Sequence, residues 1–190
     1  MFVDNIRIFA RAGKGGNGLV SFRRAKFVPK GGPDGGDGGD GGSVILEVDP
    51  HTNDLRSFFY DPKLIATDGV GGQSAKKHGK NGKSVIGKVP PGTIIYRSNA
   101  SSMAEATWLE REGEGIELEK IADLTEIGTR FTLCQGGLGG KGNWHFRSAT
   151  NQAPTEAEMG TEGEEGVFFM ELRRIADAGL VGYPNAGKST

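Results

Sequence analysis

The triplets Asp34-Gly35-Gly36, Asp37-Gly38-Gly39 and Asp40-Gly41-Gly42 follow one another without a break, and eight of the twelve residues from Gly31 to Gly42 are glycine. A repeat of three fits neither the α-helix, at about 3.6 residues per turn, nor the strand, at about two. It matches the polyproline II helix, which has about three residues per turn and no internal hydrogen bonds. In that conformation two edges of the repeat are bare glycine and the third carries the aspartates. Bare edges allow neighbouring segments to approach closely and to exchange the backbone hydrogen bonds that each lacks internally. Gly136-Gly137-Leu138 and Gly139-Gly140-Lys141 repeat likewise, and further glycines cluster within 13–18 and 69–82. Collagen needs glycine at every third position throughout, and a flexible linker would not recur between apolar runs, so both are excluded. The expectation is a packed array of polyproline II helices.

The aspartates invite a calcium reading, but they recur about 9 Å apart along one edge, too far to share an ion bound at about 2.4 Å. They are expected to form a solvated polar edge.

Between the glycine segments lie short runs rich in Val, Ile, Phe and Thr: 2–9, 43–48, 84–89, 93–96, 105–109, 115–121, 130–134 and 167–172. Their length, alternation and turn-residue borders predict strands of an all-β sandwich or barrel. A brief helical turn is expected only at Pro62–Ala66. The acidic run Glu156–Glu165 is expected to be an exposed connection, and the acidic stretch Glu110–Glu126 a solvated hairpin face.

The single cysteine, Cys134, lies in the apolar run Phe131-Thr132-Leu133-Cys134, so no intramolecular disulfide can form and a buried, inert thiol is expected. The start of the chain has no basic and apolar leader pattern, and no stretch approaches about 18 apolar residues. The expectation is a soluble, cytoplasmic monomer. His51, His78 and His145 have no cysteine partners at zinc spacing, so no metal site is expected from them.

A formal net charge of −1 hides an asymmetry: residues 1–100 carry 15 Lys/Arg against 9 Asp/Glu, and residues 101–190 carry 8 against 15. Arg11, Lys14, Arg23, Arg24, Lys26 and Lys30 form one run without an acid, and Lys76, Lys77, Lys80, Lys83 and Lys88 form another. Both touch glycine-rich segments. Such patches on a nearly neutral chain suit local binding of a polyanion or a merely solvated basic face. In Asn143-Trp144-His145-Phe146-Arg147 aromatics sit beside cations, where they can stack on RNA bases or serve as packing.

Gly13-x-Gly15-x-x-Gly18 and Gly137-x-Gly139-x-x-Gly142 fit the dinucleotide fingerprint, but the first runs into an extended segment rather than a helix, and in so glycine-rich a chain the pattern is cheap. Gly182-Tyr183-Pro184-Asn185-Ala186-Gly187-Lys188-Ser189 is far more specific. It satisfies the phosphate-loop pattern and follows the strand-like Ala178-Gly179-Leu180-Val181. In such a loop, backbone N–H groups cradle the phosphates, Lys188 meets the β- and γ-phosphates, and the Ser189 hydroxyl ligates Mg²⁺. The sequence stops at Thr190, before the helix and switch loops that would complete a site. This chain by itself is therefore expected to hold no nucleotide, and no catalytic residue is assigned in it.

Phe22-Arg23-Arg24 through Phe27-Val28-Pro29-Lys30 and the Asp-Gly-Gly repeat, then 136–143, then Ile175-Ala176-Asp177-Ala178-Gly179-Leu180-Val181 through the phosphate loop, together resemble the Obg (CgtA) GTPases. The resemblance implies an Obg fold over 1–172, a glycine-rich polyproline II array beside an eight-stranded β-barrel or sandwich. It implies that 173–190 begin a Ras-like GTP-binding domain. It further implies a parent that binds GTP or GDP with Mg²⁺, hydrolyses GTP, and docks on the large ribosomal subunit and its rRNA during assembly. The family's loop tips map onto basic positions here, giving Arg23, Arg24, Lys26, Lys30, Lys76, Lys77, Lys80, Lys83, Lys141 and Arg147 as RNA-binding candidates. One departure is 108–119, longer and more acidic than the family pattern. Two other readings remain open: a protein-interaction module that recruits assembly or stress-response factors through its glycine face, and a rigid spacer.

Overall fold

The computed structural model of the chain describes residues 3–24, 31–100, 102–112 and 117–173. Eight strands lie within these: β1 (Asn5–Arg11), β2 (Val44–Val48), β3 (Lys63–Ile65), β4 (Val85–Val89), β5 (Thr93–Ser98), β6 (Leu118–Leu124), β7 (Arg130–Cys134) and β8 (Glu165–Leu172). They form a five-stranded sheet, ordered β3-β1-β8-β5-β6, and a three-stranded sheet, ordered β4-β2-β7. The pairings β1 with β3 and β2 with β4 are parallel, and the remainder are antiparallel.

Alternation dictates the core. Val44, Leu46 and Val48 point inward from β2, Ile8 and Ala10 from β1, and Phe168, Met170 and Leu172 from β8, all buried in one cluster. Short helix α1 (Arg56–Tyr60) adds Phe58 to that cluster, just after buried Leu55. Helix α2 (Met103–Glu112) lies on the other face of the larger sheet, where Met103 and Ala106 meet Phe9 and Val167.

Two expectations about local structure fail. Residues 105–109 belong to α2 rather than to a strand: Ser102 Oγ accepts the Glu105 N–H at 3.1 Å, and this Ser-x-x-Glu start launches a helix through alanines and glutamates. Pro62–Ala66 holds strand β3 rather than a helical turn. There, buried Leu64 and Ala66 alternate with exposed Lys63 and Ile65, and the helical turn comes earlier, in α1.

The glycine segments form the array that their period predicts. Six extended segments, I (12–19), II (34–42), III (67–73), IV (76–83), V (135–143) and VI (158–164), exchange backbone hydrogen bonds every third residue. Gly13, Gly16 and Leu19 of I donate to Gly42, Gly39 and Gly36 of II, and Ala12, Gly15 and Gly18 donate to Glu164, Thr161 and Glu158 of VI. Segment II donates from Gly36, Gly39 and Gly42 to III, and from Gly38 and Gly41 to V. Odd-numbered segments run one way and even-numbered ones the other. Gly142, with φ −74° and ψ 164°, has the polyproline II conformation. The need for glycine is a matter of approach distance: a Cβ on Gly38 would stand 1.9 Å from the Gly16 carbonyl oxygen.

This packing adds to two further expectations. The acidic run 156–165 is exposed as expected but is not a free connection, because segment VI within it donates to V from Glu158, Thr161 and Glu164. Nor are the aspartates simply a solvated edge: Asp37 Oδ1 accepts the Gly142 N–H at 2.7 Å, and Asp40 Oδ1 accepts the Gly139 N–H at 2.8 Å. All amides of 136–143 are thereby paired in a period of three: 137, 140 and 143 with carbonyls of I, 138 and 141 with Thr161 and Glu158 side chains, and 136, 139 and 142 with Ser43, Asp40 and Asp37.

Candidate nucleic-acid interface

The direction of the segments decides where their connections lie. Strand β1 runs into I, β3 into III and β7 into V, while II returns to β2, IV to β4 and VI to β8. The array therefore meets the sheets at one end, and its three turns, I to II, III to IV and V to VI, gather at the other.

Each turn is held at its base. The first closes between Arg23 N–H and Gly32 O at 3.0 Å and between Asp34 N–H and Ser21 O at 2.9 Å. The second, Ser74–Lys76, is tight: Gln73 N–H donates to Lys77 O at 3.0 Å, and Ala75 and Lys76 both take left-handed φ values, 61° and 57°. Side chains disfavour that conformation, so this turn holds local strain. The third begins with a 3-10 turn over Asn143–Phe146.

Asn143 ties the turns together. Fully buried, it accepts the Gly35 N–H on Oδ1 at 2.9 Å and donates through Nδ2 to Ser21 O and Pro154 O, each at 3.0 Å. A single asparagine has no periodic or compositional signature, and sequence reasoning missed this role. Beside it His145 Nε2 lies 2.8 Å from Asp37 Oδ2. Burial works against the charge on Asp37, but the Gly142 N–H, His145 and more distant His78 outweigh it and hold the carboxyl below its usual range.

The structure gathers part of the candidate set at the turns: Arg23 and Arg24 on the first, Lys76 and Lys77 at the second, and Arg147 on the third, all exposed. Lys80, Lys83 and Lys141 stand elsewhere, on the shafts of IV and V, with Lys83 at the sheet end opposite Thr67. Lys26 and Lys30 lie outside the described residues, as does the whole phosphate loop, Gly182 to Ser189. Among the described residues, none of the five cations at the turns makes an ion pair with an acidic side chain, nor do Lys80 and Lys83, whereas Lys14 pairs with Glu162 and Lys141 Nζ lies 3.9 Å from Glu158. A cleft of about 500 Å³ opens between the first two turns, bordered by Phe22, Arg24, Asp34 and Ser74. The described residues contain no His/Cys/Asp/Glu group able to hold a metal ion, and no helix long and apolar enough to cross a membrane.

The sequence profile of the GTP1/OBG family matches residues 3–174. The chain belongs to the GTP1/OBG family. Its curated relatives include proteins named GTPase Obg from Methylacidiphilum infernorum, 50% identical, and from Chlorobium chlorochromatii, 51% identical, each alignment covering all of this chain and 53% and 51% of the relative. Another GTPase Obg, from Nautilia profundicola, is 50% identical with 48% of its length covered. The chain thus spans about half the length of these GTP1/OBG relatives. The matched span includes both the sheets and the glycine array, so the resemblance read from motifs extends over the whole described fold.

Proposed function

We propose that this chain is the RNA-docking part of an Obg-type GTPase that acts in assembly of the large ribosomal subunit. The carrying observation is the placement of cations without acidic partners at the far end of a stiff array, on three turns that converge, while the shaft cations Lys14 and Lys141 face acids of this chain. Cations whose charge is not met by an acid of the same chain favour an external polyanion, and three tips at the end of a rod suit a recess better than a flat surface. In this reading GTP sits on the loop Gly182, Tyr183, Pro184, Asn185, Ala186, Gly187, Lys188 and Ser189, with Lys188 at the phosphates and Mg²⁺ on the Ser189 hydroxyl. Nucleotide state in the intact protein then governs docking, and hydrolysis releases it. The names of the relatives and the sequence of that loop support the nucleotide half of the reading.

Co-sedimentation of the intact protein with purified large subunits across a salt series tests it. Binding should weaken steeply with salt, and the Lys76→Ala/Lys77→Ala variant should bind less and with a shallower salt slope. Binding indifferent to both would favour recruitment of a protein partner instead.

A further inference from the structure

What Trp144 does on the third turn rests on the RNA-docking reading above. Trp144 opens the third turn, immediately after the fully buried Asn143, so its backbone is fixed by the hydrogen bonds that pin that asparagine. Its indole is half-buried. The His145 ring lies against it, with centroids 3.9 Å apart and planes 37° from parallel, and His145 is itself held by Asp37. Over the indole ring, 5.0 Å from its centroid, lies the Lys76 ammonium, carried by a different turn. Lys76 reaches that position from a left-handed backbone conformation that its own Cβ disfavours.

An ammonium over an indole in solvent is weakly held, by about 0.5 to 1 kcal/mol, and is easily displaced. A base stacked on an aromatic ring is held more strongly, and the interaction tolerates any base because each has a π-face. We infer that Trp144 is a stacking platform for one unpaired nucleobase of single-stranded RNA, and that Lys76 occupies the ring in the free protein and moves to a backbone phosphate when the base arrives. His145, buttressed by Asp37, sets the tilt of the platform and is a positioning residue. Lys77, next along the chain from Lys76, and Arg147, on the same turn as Trp144, are exposed and receive the neighbouring phosphates. The site reads the presence of an unstacked base rather than its identity, so it selects loops and bulges over duplex RNA.

The test compares two ligands of equal length, a single-stranded oligoadenylate and an abasic ribose-phosphate chain, each binding the full-length protein and its Trp144→Leu, Trp144→Phe and Lys76→Ala variants. Stacking predicts that Trp144→Leu weakens oligoadenylate binding about tenfold or more, leaves the abasic chain unaffected, and is largely rescued in Trp144→Phe. Lys76→Ala should weaken oligoadenylate more than the abasic chain, because only an arriving base moves the ammonium from the ring to a phosphate. If both ligands bind and Trp144→Leu weakens them equally, or neither, the stacking inference falls while RNA docking stands. If neither ligand nor the large subunit binds the unmodified protein, the docking reading falls and takes this inference with it.

Discussion

At Asn143 a single amide joins segment II, the base of the first turn and the far side of the third. Its removal takes the partner from the Gly35 N–H and from Pro154 O, while Ser21 O keeps the Asp34 N–H, and each unsatisfied group costs about 1 to 3 kcal/mol. Asn143→Ala should therefore destabilise the protein by about 3 kcal/mol or more in chemical denaturation, and Asn143→Asp should do no better, since a carboxylate cannot donate to Ser21 O and Pro154 O. Cys134 makes a contrasting case. Burial raises its thiol to about 12, and its Sγ lies 3.8 Å from the Ala10 carbonyl oxygen. The thiolate is the reactive form, so an aromatic disulfide reagent at neutral pH should label Cys134 only at the rate of unfolding. Asp37 contributes a pH dependence. Its carboxyl is held below 3.8 in the folded protein, so its charged form favours folding. That contribution is complete above the unfolded value and disappears as the pH falls through the lower, folded one. Acid titration of stability should show Asp37→Asn less sensitive than the unmodified protein below about pH 4. Cys134 was legible in the sequence, from one cysteine in an apolar run. Asn143 and the bonding of Asp37 were not, because a lone polar residue shows its partners only after distant segments have been brought together.

Each element owes its shape to a period, and periods are what a sequence displays. Strands β2 and β8 alternate plainly, with Val44, Leu46 and Val48, and Phe168, Met170 and Leu172, on the core side. Segments I to VI repeat in threes because each polyproline II edge faces a different neighbour. Elements with little room to show a period were misread. Helix α1 has five residues, too few for a helical stripe, and among the described side chains of α2 Met103 and Ala106 meet the sheet cluster, so its start at Ser102 is a better guide than its apolar pattern. The glycine requirement is tested at Gly38. The atom that a Cβ would strike there belongs to the backbone of Gly16, which cannot step aside as a flexible side chain could. Gly38→Ala should cost about 3 kcal/mol or more and separate I from II. By comparison, Gly128→Ala meets nothing within 4 Å and strains only a left-handed turn with φ +80°, so it should cost about 1 kcal/mol. Hydrogen exchange gives an independent reading of the array: amides of Gly16, Gly39 and Gly140 should exchange far more slowly than those of a free glycine peptide, despite lying outside any helix or sheet.

The whole molecule separates two roles. The sheets with their buried core supply cooperative stability, and the array, bound internally by peptide groups rather than by apolar side chains, projects three turns away from that core. This division explains how a chain with a net charge of −1 can present a cationic end. On the shafts Lys14 and Lys141 face acids, whereas among the described residues the five arginines and lysines at the turns have no acidic partner. It also limits what the basic runs could reveal beforehand, since spacing along the chain cannot separate Lys77, beside a turn, from Lys83, at the sheet end of the same segment. Site-specific photocrosslinking on purified large subunits exploits that difference. A photoreactive group at position 77 or 147 should crosslink to rRNA in the docked complex, and one at position 83 should not. Crosslinks to rRNA from position 83 alone, or only to ribosomal proteins from the turns, would contradict a rod that docks on RNA by its tip.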